Sequence, residues 1–292
     1  MLDQNKSDLR DVYAIGLKTL VETVPSSMGN IVSHCLVNRL VEGIHSNSAT
    51  KSSGDSAKDK NSEEIVLACL NVLTDLLTRF GSSSESVTAQ HEPLLNVTLS
   101  QLASPRPIVR KRAGTTIGVL ATVISDKLLH RLVERILDQI DQVSDGLGKS
   151  GKKRAKKAKK TDDKTLAASD LRSADTRSLI RTMCTVSGSV GQRLNQGHID
   201  RIVPIFLRFC DPGDAVSGDD EDVDSDEEMD DAEDESEGMS EEAAAQMQIE
   251  LRESCFAGFE SFVLRCPTLI RPHLTQIVHS ALAYMRFDPN YR

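Results

Sequence analysis

The sequence has 292 residues, with 35 Lys and Arg against 44 Asp and Glu, a formal net charge of −9. The charge is unevenly placed: residues 211–242 hold 18 acids and no base, residues 149–160 hold eight bases and no acid, and the remaining body is close to neutral. Aromatics make up 3% and Trp is absent, too few for the stacking platforms of single-stranded nucleic acid readers.

No apolar run approaches 18 residues, so no membrane span is expected, and the polar first 15 residues give no secretory signal. The six Cys (35, 69, 184, 210, 255 and 266) form no C-x-x-C pair. In a chain of this size they read as reduced core residues of a cytosolic or nuclear protein.

Apolar residues recur at three- and four-residue steps almost throughout, which predicts helices. In chain order these fall at 9–24, 31–45, 63–80, 92–102, 107–124, 127–143, 175–187, 199–210, 250–265 and 272–286. In the first, Leu9, Val12, Ile15, Leu20 and Val24 form one stripe, with Arg10, Asp11, Lys18 and Glu22 elsewhere on the cylinder. Alternating Val, Ile, Thr and Tyr segments are lacking, so no sheet is expected. The unit 92–124 is the clearest. Its first helix stops at Ala103-Ser-Pro105; Pro107 suits the first turn of the next helix, where Ala113, Gly114 and Gly118 let backbones approach closely.

Five segments align without gaps: Leu9-Arg-Asp-Val-Tyr-Ala-Ile15, Ile65-Val-Leu-Ala-Cys-Leu-Asn71, Val109-Arg-Lys-Arg-Ala-Gly-Thr115, Thr176-Arg-Ser-Leu-Ile-Arg-Thr182 and Leu251-Arg-Glu-Ser-Cys-Phe-Ala257. Four carry Arg at the second position: Arg10, Arg110, Arg177 and Arg252. Three inserts, polar 46–62, basic 146–164 and acidic 211–241, hold too few apolar groups to offset ordering entropy and are expected to be disordered. Without them the repeats start roughly 40–47 residues apart, the period of HEAT and armadillo solenoids. The expected fold is an all-α solenoid over residues 1–292. It has four whole repeats of paired helices, with a half repeat at each end and exposed apolar end faces.

Motifs for chemistry are weak. Gly146-Leu-Gly148-Lys-Ser-Gly151 matches G-x-G-x-x-G but follows a helix, not the strand that a phosphate cradle requires. The seven His are spread along the chain, none forms H-E-x-x-H, and none sits near a Cys at ligand spacing. No catalytic residue, metal or cofactor is expected, and the chain is not read as an enzyme. Lys152, Lys153, Arg154, Lys156 and Lys157 fit a nuclear-localisation tract. Ser217 and Ser225 each precede an acid by three residues, as acidophilic kinases prefer. The repeated Arg has two readings: a ladder pairing with the next unit, or contact with a partner.

Several blocks resemble the cullin-associated, neddylation-dissociated family of exchange factors of cullin–RING ubiquitin ligases. They are Leu9-Arg-Asp with Ile15-Gly-Leu-Lys-Thr19, Ser104-Pro-Arg106 with Val109-Arg-Lys-Arg112, Glu250-Leu-Arg-Glu253 with Phe259-Glu-Ser-Phe-Val263, Arg265-Cys-Pro267 and Asp288-Pro-Asn-Tyr291. The resemblance runs from about 7 to 291 outside the inserts; the basic insert and the position of the acidic tract depart from the family pattern. It implies a piece of the amino-terminal arm of a long HEAT superhelix that wraps an un-neddylated cullin and its RING subunit. On that reading the Arg-initiated helices line a concave wall. Arg10, Asp11, Lys18, Lys111, Arg177, Arg181, Arg252 and Glu253 would meet the partner, with neither membrane nor nucleic acid involved. Location in both cytoplasm and nucleus is expected. The rival reading is a nuclear import or histone-handling scaffold that uses the two charged tracts.

Overall fold

The computed structural model describes residues 7–48, 56–151, 163–210 and 241–286. All regular structure among them is helical. The helices are α1 (Ser7–Thr23), α2 (Gly29–Ser48), α3 (Ser56–Phe80), α4 (Glu85–Thr88), α5 (His91–Ser100), α6 (Pro107–Val123), α7 (Asp126–Gly151), α8 (Asp163–Val190), α9 (Gln196–Cys210), α10 (Glu241–Arg265), α11 (Pro267–Ile270) and α12 (Leu274–Arg286). No described helix is long and apolar enough to cross a membrane.

The pattern-based boundaries hold for the middle of each long helix and fail at the insert edges. Helix α3 begins at Ser56, α7 continues to Gly151, α8 begins at Asp163 and α10 begins at Glu241. The expected disordered segments 46–62, 146–164 and 211–241 are therefore too wide where they overlap these helices. Runs such as Glu241-Glu-Ala-Ala-Ala-Gln have high helix propensity with no apolar stripe, so a search by hydrophobic period passes over them. The remaining insert positions lie outside the described residues.

Helices pack in pairs: α2 on α3, α5 on α6, α7 on α8 and α9 on α10. Within a pair they run antiparallel. Gly29 at the start of α2 lies against the Phe80 ring at the end of α3; Gly191, just before α9, lies against Arg265 at the end of α10, while Cys210 at the end of α9 meets Cys255 in the middle of α10. Successive pairs form two rows. In one row α1, α3, α6, α8 and α10 each pack on the next along much of their length. In the other, α2, α5, α7, α9 and α12 touch their row neighbours at few points. One continuous apolar core, from Val21 to Ile277, runs between the rows.

Small residues account for the close row. A Cβ placed on Gly114 would sit 2.8 Å from Thr182 Oγ1, and one on Gly118 would sit 2.5 Å from Thr185 Cγ2, both on α8. Thr74 and Thr116 share a buried hydrogen bond of 2.9 Å between α3 and α6.

One expectation for α1 is corrected. Of its proposed stripe only Val24 is buried; Leu9, Val12, Ile15 and Leu20 are exposed, Ile15 by 65%. The face against α3 is instead Arg10, Tyr13, Ala14, Leu17 and Val21. Helix α1 is apolar on two sides, and the periodicity picked out the open one.

Candidate partner-binding face

Four helices of the close row carry the repeated arginine, and for Arg10 and Arg110 its role is structural. Arg10 is 2% exposed; its guanidinium donates to Asn61 Oδ1 at 2.6 Å and to Glu64 on α3. Arg110 is 7% exposed and donates to Ser178 Oγ on α8 at 3.0 Å and to the Ser104 and Pro105 carbonyls at 2.7 and 2.9 Å. Arg252 is 4% exposed, and its Nε has no hydrogen-bond partner among the described residues. Burial takes Arg10 and Arg252 off the partner-facing surface expected for them. For Arg10 and Arg110 the ladder reading is correct: a charge that leaves water must meet acceptors, and the next rung supplies them. Arg177 is half-buried.

The remaining expected contact residues stand differently. Asp11, Lys18, Lys111 and Glu253 are exposed. Lys18 lies 3.7 Å from Glu22 on its own helix. Arg181 is half-exposed and donates to Glu250 Oε2 on α10 at 2.8 Å. The tract Lys152, Lys153, Arg154, Lys156 and Lys157 lies outside the described residues, as do Ser217 and Ser225.

A second arginine ladder went unnoticed at the opposite helix ends. Arg79 on α3 donates to the Val21 and Val24 carbonyls at the end of α1. Arg193 donates to the Ala121 and Ile124 carbonyls at the end of α6, at 2.9 and 2.7 Å, and pairs with Asp126. Arg265 reaches the Ser189 carbonyl of α8 at 3.5 Å and Gln192 Oε1 at 3.3 Å. Last-turn carbonyls have no partner within their own helix, and a cation there also meets the negative end of the helix dipole. The available signal was a basic residue at or just beyond the end of α3, α8 and α10.

The looser row is joined mainly by polar bridges. Arg131 on α7 pairs with Glu92 on α5 at 2.6 Å. Arg201 on α9 pairs with Glu134, Asp138 and Asp141 on α7 at 2.5, 3.0 and 2.8 Å. His273 pairs with Asp200 at 2.8 Å.

The buried thiols are poor nucleophiles. Hydrogen bonding with Cys255, then burial, pushes the Cys210 thiol far up; hydrogen bonding with Cys184 pushes Cys255 far up. A thiolate is the reactive form, and these positions disfavour it. The Gly146 to Gly151 motif forms the end of α7. A cleft of about 280 Å³ between α2, α3, α5 and the turn at 103–105 has Glu63 as its only titratable lining residue among the described residues.

No protein-family model matches the sequence. Curated relatives do. Cullin-associated NEDD8-dissociated protein 1 of Dictyostelium discoideum is 27% identical over 292 residues, covering 99% of this chain and 18% of the relative. Cullin-associated NEDD8-dissociated protein 2 of Mus musculus is 29% identical over 291 residues, covering 98% of this chain and 18% of the relative. The chain is similar over nearly its whole length to cullin-associated NEDD8-dissociated proteins. The same holds for the Arabidopsis thaliana protein 1, at 26% identity over 286 residues. The resemblance carried by the blocks from Leu9 to Tyr291 therefore stands, across an amoeba, a rodent and a plant. The chain spans about a fifth of the length of these relatives.

Proposed function

We propose that this chain is a segment of a non-catalytic scaffold that binds un-neddylated cullin–RING complexes and so regulates ubiquitin-ligase assembly and substrate-receptor exchange. The observation that carries the reading is similarity to cullin-associated proteins over 98–99% of the chain, inserts included. The architecture supports it. A stack packed closely along one row and loosely along the other bends toward the close row, which becomes the inner wall. Five helices at roughly 8–10 Å spacing make a wall about 45–50 Å long. With helices about 24 Å long at 1.5 Å per residue, it offers roughly 1,100 Å², one partner's share of a standard interface or more.

On this wall the exposed charges Asp11, Lys18, Lys111 and Glu253, with half-exposed Arg181, replace the buried arginines as the polar surface that meets the cullin. The test is capture of an unmodified cullin–RING complex by the immobilised chain. Reversing charge at Lys111 and Arg181 together (K111E, R181E) is expected to weaken capture about tenfold, since each charge contact contributes roughly a kcal/mol. Unchanged capture by a folded double variant would remove this surface. Deleting 149–160 and 214–241 is expected to leave capture intact. The relatives' names point to cullins, which gives the import and histone reading no support. Residence in cytoplasm and nucleus is part of the proposal, and imaging of the chain with and without Lys152–Lys157 replaced by Ala tests it.

A further inference from the structure

One cluster is used by neither the core nor the proposed binding wall. It sits on the looser row, between α7 and α9. His130 and Glu134 are one turn apart on α7 and so share a face. His198 lies in the first turn of α9, where Asn195 Oδ1 accepts its backbone N–H at 3.0 Å. The fold brings these residues together across 68 positions: His130 Nδ1 is 2.6 Å from His198 Nε2, and that nitrogen is 3.8 Å from Glu134 Oε1. The three donor atoms all lie within 4.8 Å of one another.

We infer that His130, Glu134 and His198 form a binding site for a divalent transition-metal ion of the zinc class, which would clamp α7 to α9. The two imidazoles share a hydrogen bond across the site. Zinc binds imidazole nitrogen and carboxylate oxygen at roughly 2.0–2.2 Å, which sets donors about 3.3 Å apart around a tetrahedron. The nitrogens, 2.6 Å apart, need to open by about 0.7 Å, and Glu134 to close by about 0.5 Å on His198 and by up to about 1.5 Å on His130, to meet that spacing. Two imidazoles with one carboxylate suit zinc, cobalt or nickel, whereas calcium and magnesium take all-oxygen sets.

The surroundings favour a cation. Glu134, Asp138 and Asp141 share the single guanidinium of Arg201, which leaves that group of four with a net negative charge. Arg201 engages Glu134 through Oε2 and leaves Oε1 facing the imidazoles, as a hydrogen-bond partner behind a ligating carboxylate fixes its orientation. His198 is 3% exposed, and its Nε2 faces both His130 Nδ1 and Glu134 Oε1. Binding through Nε2 puts the ring proton on Nδ1 and gives up the long 3.4 Å contact from the Asn195 N–H. His130 is exposed, which leaves an entry path and an open fourth position for water. The inference is independent of the cullin reading, because the cluster lies away from the close row.

The test is titration of the chelator-treated 292-residue chain with Co(II), followed by its visible ligand-field bands, and with Zn(II) by calorimetry. One equivalent is expected to bind with four-coordinate cobalt bands and to raise the unfolding midpoint. Because His198 is buried, the deciding variants are at the half-exposed Glu134 and exposed His130. H130A and E134Q are each expected to weaken binding at least about tenfold, while H273A leaves it unchanged. No metal bound at sub-millimolar concentration, or binding indifferent to H130A and E134Q, would overturn the site.

Discussion

At the scale of single residues, adjacent positions do opposite work. Arg110 is buried and satisfies two turn carbonyls and a hydroxyl of the next rung; Lys111, one residue on, faces water. Arg110→Met leaves those acceptors with fewer donors and is expected to destabilise the chain by about 2–3 kcal/mol in urea unfolding. Lys111→Met is expected to stay within about 0.5 kcal/mol. A similar loss at both positions would mean that the ladder does not hold the rungs. The glycines divide in the same way. Gly118→Ala drives a methyl into Thr185 and is expected to cost about 1–3 kcal/mol. Gly16→Ala, with nothing within 4 Å of its added methyl, is expected to gain about 0.5–1 kcal/mol of helix propensity. The need for small residues at 113–118 was readable from their spacing beside Ile117 and Leu120. The acceptors of Arg10 on α3 and of Arg110 on α8 were not, because they lie 51–68 residues away along the chain.

At the scale of helices, the stripes gave the elements and their order, since a solenoid rung is an amphipathic hairpin repeated. They did not give which face of a helix is covered. Helix α1 carries two apolar faces, and only neighbours distinguish them. Contacts between rungs were equally hidden: nothing local to His130 or His198 says that they meet. Two helix-start histidines tie the elements to pH. His91 is buried with its Nε2–H donating to the Gly81 carbonyl at 3.0 Å, and burial lowers its pKa; burial, then His130, lowers that of His198. A histidine whose folded pKa lies below the ordinary 6.5 binds fewer protons in the native state than in the unfolded one. Its contribution is therefore present above about 6.5 and lost as pH falls through 6.5 toward the depressed value. The urea midpoint, measured with chelator present, is expected to be flat from about pH 8 to 7 and to drop between about 6.5 and 5. His91→Gln should flatten part of that drop, and an unchanged slope would locate the titration elsewhere.

At the scale of the whole molecule, a ladder of this kind buries each rung by stacking it on the next, so its outermost rungs carry uncovered faces. On α1 the side chains of Leu9, Val12, Ile15 and Leu20 are exposed, and on α12 those of Val278, Leu282 and Met285, the last by 79%. These faces lie at opposite ends of the described stack, so a contact between two copies is either end to like end or end to opposite end. The first closes as a dimer and the second propagates as a chain of copies. The 292-residue chain is expected to self-associate in a concentration-dependent way in sedimentation velocity. The triple change V12K, I15K and L20K should reduce that association, and L282K with M285K should reduce it separately. If the contact is end to opposite end, either set alone should abolish association altogether. If it is end to like end, each set should remove one species and leave the other. The substituted side chains are exposed, so each is expected to shift stability by no more than about 0.5 kcal/mol. A change in assembly would then report the faces and not the fold. A strictly monomeric chain at every concentration would show that uncovered apolar faces of this size do not drive pairing here, and would remove the end-face account of its solution behaviour.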